Sequence, residues 1–256
     1  MSFRYLNQIA APEHIGEFLQ LADLAAGAGM DAHNVFELSR HLSDSKPMRL
    51  CTTRLRKDPD AARLIDERRL CGPYDLESLL QHPKGSLGHT YATVMRTLNY
   101  DINFFPNPAF FNNLASEADY INYRVFATHD IHHIVSGYSL DNFGETGVLS
   151  ISIGPFSFPG FSFLNLVGLM VSFFACERPY EDLIDHTVPV GHVGYEYDLI
   201  QQGIAMGLKA RPLFPVIWEE RMGQNLEELR AELGIEPVRE GPWSWSSHPA
   251  IRAALA

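Results

Sequence analysis

Cysteine is nearly absent from this sequence. Cys51, Cys71 and Cys176 are all there is, too few and too scattered for a disulfide framework or a cysteine-built zinc site. A reducing compartment is the simplest expectation. Positive charge is also scarce. Lys and Arg number 20 against 31 Asp and Glu, a formal net charge of −11. That balance argues against a nucleic-acid binder working through broad phosphate attraction and against a polybasic membrane anchor. Charged residues make up 20%, below the usual share of about 25%. Strand-like alternation is rare, and only Val148 to Ile153 reads as a strand. No uninterrupted apolar run is long enough to span a membrane. Thr146 to Cys176 holds no charge over 31 residues, but Pro155 and Pro159 interrupt it. The 17 residues left from Gly160 to Cys176 fall short of the roughly 20 a span needs. A buried helix is the expected reading, or the wall of an apolar ligand cavity.

Aromatic side chains, in contrast, are plentiful, with 16 Phe, 10 Tyr and 3 Trp. In a chain of 256 residues about 70–75% of the unfolded surface can be buried, so these rings form a core, a ligand tunnel, or both. The opening MSFRYLNQIAAPEHIGEFLQ lacks a basic start followed by an apolar stretch, and Glu13 and Glu17 oppose a transit peptide. The expected location is the cytoplasm.

Helical spacing dominates. Ile15 to Gly29 places Phe18, Leu19, Leu21, Leu24 and Ala25 near one face. Asp58-Pro59 starts a helix through Ala62, Leu64, Ile65 and Leu70, and a short one covers Leu76 to Leu80. Ser86 caps a helix carrying Leu87, Tyr91, Val94, Met95 and Leu98. Asp101 to Asn113 is turn-rich. Ser116 and Asp119 form a capping box for a helix that reaches Gly137, and a further helix lies between Val193 and Arg211. Asn225 with Glu228 opens a last helix that Gly234 closes. The expected fold is all-α, a single helical domain over residues 1–235. Glu236 to Ala256, with Pro237, Pro242 and Pro249, reads as a C-terminal tail.

The residues that carry chemistry are His129, Asp130, His133 and Glu145. On a helix, His133 lies about 40° from His129 and one turn further on, so both imidazoles can reach one metal ion. Asp130 can be a third ligand or an orienting carboxylate. Glu145 lies 16 residues beyond His129, about 24 Å along a straight helix. The chain must therefore turn to bring it back, and Gly137 and Asp141-Asn142-Phe143-Gly144 supply the turn chemistry. Two imidazoles with one or two carboxylates suit Zn²⁺ or Fe²⁺, and also Mn²⁺ or Co²⁺. His82, His89, His186 and His192 read as structural or surface groups. Arg96, Arg124 and Lys209 could bind a carboxylate or phosphate, with surface solvation the simpler role for each.

The string HDIHHIVSGYSLDNFGE, that is His-Asp, two residues, His, eleven residues, Glu, resembles the metal-ligand motif of the coenzyme Q (ubiquinone) biosynthesis protein 4 family. Flanking phrases extend the likeness from about Arg63 to Ile235: Leu79-Leu80 with Pro83-Lys84-Gly85-Ser86-Leu87-Gly88 and Tyr91, Trp218-Glu219-Glu220, and Leu229-Arg230 with Leu233-Gly234-Ile235. The resemblance implies an all-α fold holding a divalent metal, zinc first among the candidates, at His129, Asp130, His133 and Glu145. It implies an apolar cavity for a prenylated ring. It also implies a role in ubiquinone biosynthesis, namely oxidative removal of the ring carboxylate at C1 of a polyprenyl-hydroxybenzoate, and organisation of other quinone-biosynthesis proteins. Contact with the inner face of a membrane and assembly as a homodimer are further expectations. Tyr123, Arg124 and Phe126 are candidate substrate contacts. The sequence departs from the family in lacking the acid of an Arg-x-Arg-Glu run before His129, and in having no charge after Glu145 up to Cys176.

Two other functions compete. One is a non-catalytic scaffold that holds a polyprenyl lipid beside a structural metal. The other is a helical metal-dependent phosphohydrolase using His129-Asp130, with His89 and Asp182 or Asp198 completing its site.

Overall fold

A computed structural model gives the fold for Tyr5 and residues 12–27, 33–100, 105–175 and 194–256. Among these residues there is no strand, only two isolated bridges, Ser86 with Asn225 and Tyr138 with Ser244. The fold is all-α. Helices run in the order α1 (Pro12–Ala26), α2 (His33–His41), α3 (Lys46–Leu55), α4 (Pro59–Glu67), α5 (Leu76–Leu79) and α6 (Leu87–Thr97). They continue as α7 (Glu117–Ser136), α8 (Asn142–Phe156), α9 (Pro159–Ala175), α10 (Gly194–Lys209), α11 (Leu226–Leu233) and α12 (Pro249–Leu255).

Local cap chemistry sets most of these boundaries. Asp58 and Ser86 accept from the first free amides of α4 and α6. Asn225 does the same for α11, which ends at left-handed Gly234. Ser116 and Asp119 form the full reciprocal box at the start of α7. Arg68, at φ 50°, ends α4, so Leu70 falls outside the helix and stands 55% exposed. In α1, Leu21 and Ala25 are buried and Phe18 packs on Phe163, whereas Leu19 is exposed. The reason is angular, because Leu19 and Leu21 stand about 200° apart on a helix.

The strand reading of Val148–Ile153 is corrected to helix. These residues lie in α8, where Val148, Leu149, Ser150, Ile151 and Ser152 are all buried. A helix enclosed on nearly every side shows no 3.6-residue hydrophobic period, so a chance alternation stood out. Left-handed Ser157 then breaks the uncharged run between α8 and α9. Among the described residues no helix is long and apolar enough to cross a membrane.

One core gathers α6, the end of α7, α8, α10, α11 and the last residues of the chain. A second, aromatic one joins Phe36, Phe111, Tyr120, Phe156, Phe158, Phe161 and Phe214 around the front of α7. The 236–256 segment does not trail from the molecule. Trp245 and Ile251 are buried in the first core, partners that its three prolines gave no means of anticipating. His186, His192, Asp182 and Cys176 lie outside the described residues, as does part of the Asp101–Asn113 turn region.

Helices α8 and α10 meet backbone to backbone. A Cβ on Gly203 would lie 2.2 Å from the Gly147 carbonyl oxygen, and one on Gly207 would lie 2.1 Å from that of Ile151. By contrast, a Cβ on Gly168 in α9 meets nothing within 4 Å. Gly207→Ala should therefore lower stability by about 1–3 kcal/mol through overpacking, whereas Gly168→Ala should raise it by up to about 1 kcal/mol through reduced unfolded-state freedom. Urea midpoints of the two variants check this, and shifts of the same sign would contradict the close contact.

Candidate metal centre

Helix α7 is straight through His129 and His133, whose rings stand 4.8 Å apart at 86°. It stops at Gly137, φ 87°. A Cβ there would be strained and would also lie 2.1 Å from the Val238 carbonyl oxygen, so the stop requires glycine. Asp141 then caps α8, accepting from the amides of Phe143 and Gly144 at 3.0 Å each. This places Glu145 in the first turn of α8, facing back towards α7.

The carboxylate meets both histidines. Glu145 Oε2 is 3.0 Å from His129 Nε2, and Oε1 is 3.2 Å from His133 Nε2. Candidate ligand atoms of the three residues lie within 4.8 Å of one another. His133 is enclosed at 1% side-chain exposure, His129 stands at 13% and Glu145 at 34%, so the centre opens on the carboxylate side. His133 Nδ1 donates to the Tyr138 carbonyl at 3.3 Å, which turns Nε2 inward. Asp130 is not part of the cluster of three. Its Oδ1 lies 3.3 Å from His129 Nδ1, the place of an orienting carboxylate.

His129 Nε2 is buried with no aligned hydrogen-bond partner, although a carboxylate oxygen is 3.0 Å away. A nitrogen lone pair aimed at a shared point beside a carboxylate is what a metal ligand set requires. The electrostatics agree. Burial opposes a charge on His129, but Glu145 and Asp130 outweigh it and push its pKa up to about 10. Burial likewise opposes the Glu145 carboxylate, yet the two imidazoles hold it well below the usual carboxylate range. The centre collects positive charge, whether as protons or as a divalent ion. Neighbouring His132 lies outside the cluster. Burial pushes its pKa down to about 3, and its ring sits edge-on to Trp218.

The other candidate contacts go elsewhere. Arg124 is 2% exposed, and its Nε and Nη2 donate to the carbonyls of Phe214 and Val216 at 2.7 and 2.8 Å. The Tyr123 hydroxyl donates to the Cys71 carbonyl at 2.7 Å. Both side chains are committed to distant backbone, a commitment that the local sequence does not reveal. Phe126 belongs to the aromatic cluster and packs on Phe161, which in turn meets the His129 ring at 5.6 Å. Phe161 is a wall of the centre that spacing alone did not single out. Arg96 pairs with Glu77 and Lys209 with Glu236 on the surface. Asp198 is exposed on α10, and His89 contacts Thr93.

The model of the family described as coenzyme Q (ubiquinone) biosynthesis protein Coq4 matches residues 19–189 and 194–239. The chain belongs to that family. The match starts well before Arg63. Among curated relatives, the mitochondrial ubiquinone biosynthesis protein COQ4 of Clavispora lusitaniae is 25% identical over 79% of this chain and 59% of its own length. That of Aspergillus fumigatus is 28% identical over 70% of this chain and 57% of its own. The chain thus spans well under two thirds of these relatives. A crystal structure of a Nostoc punctiforme protein named for ubiquinone biosynthesis superposes with a TM-score of 0.67, at 24% identity, over 85% of this chain and 94% of that one. It shares the fold.

The raised pKa of His129 has a consequence for metal uptake. With its pKa raised by Glu145 and Asp130, the His129 ring keeps its second proton at neutral pH, which an incoming ion must displace. Affinity should therefore rise with pH, by about tenfold per unit for one released proton. Chelator-competition titrations between roughly pH 6 and pH 8 check this, and a flat profile would exclude His129 as a ligand.

Proposed function

We propose that this Coq4-family chain is a divalent-metal protein of ubiquinone biosynthesis, acting on a prenylated aromatic acid to remove the ring carboxylate at C1 as CO2, with dioxygen as the external oxidant. The observation that carries the reading is the gathering of ligand atoms from His129, His133 and Glu145 within 4.8 Å of one another, with the buried His129 Nε2 lacking any aligned hydrogen-bond partner. The two-nitrogen, one-carboxylate set suits Zn²⁺, with Fe²⁺, Mn²⁺ or Co²⁺ as alternatives. A bound ion would supply Lewis acidity to a carboxylate or phenolate oxygen of the substrate.

The chain's own groups account for the remaining requirements. Asp130 orients His129 through Nδ1, and the Tyr138 carbonyl orients His133. Phe161, backed by Phe126 and Phe158, offers an apolar, water-excluding wall of the kind a prenylated ring needs. Family membership supports other quinone-biosynthesis proteins as partners. Contact with a membrane surface would fall to exposed apolar groups such as Leu166 and Val171 on α9, because headgroup attraction is weak for an acidic chain. Phosphohydrolysis is disfavoured, since that reading leaves the approach of His133 and Glu145 to His129 without a purpose.

Metal analysis of the purified full chain tests the proposal. The wild type should hold close to one ion per chain, and His129→Ala combined with His133→Ala should lose it, with affinity falling at least about 100-fold. Unchanged metal content in the double variant would sink the site assignment. Bound lipid with full complementation by the metal-free variant would replace enzyme with scaffold.

A further inference from the structure

A helix leaves its last carbonyls without donors of its own. At the end of α7 these carbonyls are capped from the far end of the chain. Trp245 Nε1 donates to the His133 carbonyl at 2.9 Å. Arg230 donates through Nη2 to Ile134 at 2.7 Å and through Nε to Val135 at 2.9 Å. The amides of Val238 and Trp245 donate to Ser136 and Gly137 at 2.8 and 3.2 Å. Every carbonyl from His133 to Gly137 thus receives a donor from residues 230–245. The Arg230 guanidinium lies 5.7 Å from the centroid of the Trp245 ring, and both side chains are buried.

The same segment fixes the carbonyl that orients the His133 ring. Tyr138, the acceptor for His133 Nδ1, forms an antiparallel bridge with Ser244. Hydrogen bonds flank it on both sides, from the Trp245 amide to Gly137 and from the Ser139 amide to Trp243 at 2.8 Å. His133 is therefore held twice, through its own peptide and through its ring's acceptor, by one short stretch more than 100 residues away.

We propose that Trp245 is a positioning residue for the metal centre, clamping the main chain of His133 through its indole N–H while the 243–245 segment pins the Tyr138 carbonyl. This rests on the reading of His129, His133 and Glu145 as metal ligands. Trp245→Phe isolates the indole bond, because it keeps an aromatic ring and the main-chain bonds. Ile251→Val is the control. It thins the packing of the same C-terminal segment, where Ile251 is 1% exposed, and removes no hydrogen bond.

The test is Zn²⁺ affinity of the full-length variants by chelator competition, with amide hydrogen exchange over residues 133–139 as a second readout. Trp245→Phe should weaken affinity about tenfold, the lower end of the range for groups that orient a ligand, and speed exchange at the end of α7. Ile251→Val should stay within about twofold of wild type. Equal affinities in the two variants would overturn the positioning role while leaving the metal reading intact. A wild type that takes up no Zn²⁺, Fe²⁺ or Mn²⁺ would instead overturn the metal reading, and exchange alone would then decide whether the clamp holds α7. If Trp245→Phe does not fold, Arg230→Lys serves the same comparison, since lysine keeps the charge and cannot reproduce the paired bonds.

Discussion

A single carboxylate has to meet two imidazoles of one helix, and the architecture around it follows from that demand. α7 must stay helical through His133 so that the two rings stand one turn apart, edge to face. The chain must reverse within the few residues after Gly137. α8 must begin early enough that Glu145 falls in its first turn. Gly137 in the left-handed region, the Asp141 cap and the hydrogen bond from Ser139 Oγ to Asp141 Oδ1 at 2.7 Å meet these conditions in sequence. Burial alone would discharge Glu145 and His129, raising the carboxylate's pKa and lowering the imidazole's. Their mutual attraction reverses both tendencies, which ties the charge state of the centre to its geometry.

The helix that carries Glu145 is seated in the part of the chain with least charge. In α8 the uncharged run owes its character to helix–helix packing, whereas α9 also leaves Leu166 and Val171 exposed. The run's polar groups are turned on one another and on a single buried acid. Thr146 and Ser172 donate to Glu196 at 2.8 and 3.0 Å, and Asn165 donates to Ser150 at 2.7 Å. Buried polar groups are tolerated where they are partnered, and these partners link α8, α9 and α10 from inside. Glycines at the α8–α10 contact bring the backbones close enough for that network to sit between apolar layers. The low charged fraction of the sequence thus reflects in part an interior shared by three helices, one of which carries Glu145.

What was legible in the sequence was short-range. Caps at Asp58, Ser86, Ser116 and Asn225 depend on a side chain and an amide two or three residues away, and the stop at Gly234 depends on its own left-handed backbone, so the pattern and the structure coincide. The His-Asp-x-x-His string followed, after eleven intervening residues, by Glu was legible for the same reason, since one helix and one turn relate its members. Long-range chemistry was not. Arg124 looks like a free cation beside the motif, but its acceptors are 90 and 92 residues away. Residues 236–256 look like a proline-broken tail until Trp245 is seen against His133, 112 residues earlier. Val148–Ile153 misled for a different reason, because burial on all sides erases the period by which a helix is recognised.

Those long-range contacts share a target. In a chain short of cations, two guanidiniums are buried against main-chain carbonyls around α7. Arg124 ties the middle of the helix to the loop at Phe214 and Val216, and Arg230 ties its last turn to the C-terminal segment. The capping box at Ser116 fixes the opposite end. His129 and His133 lie between these anchors, on a helix whose start is closed by its own capping box and whose middle and finish are held by polar bonds to two other parts of the fold. A ligand set supported in this way needs little rearrangement to accept an ion, and preorganisation of that kind is what separates a working metal centre from two histidines that merely share a helix face. The open side of the centre lies at Glu145, whose side chain is 34% exposed, the least enclosed of the three.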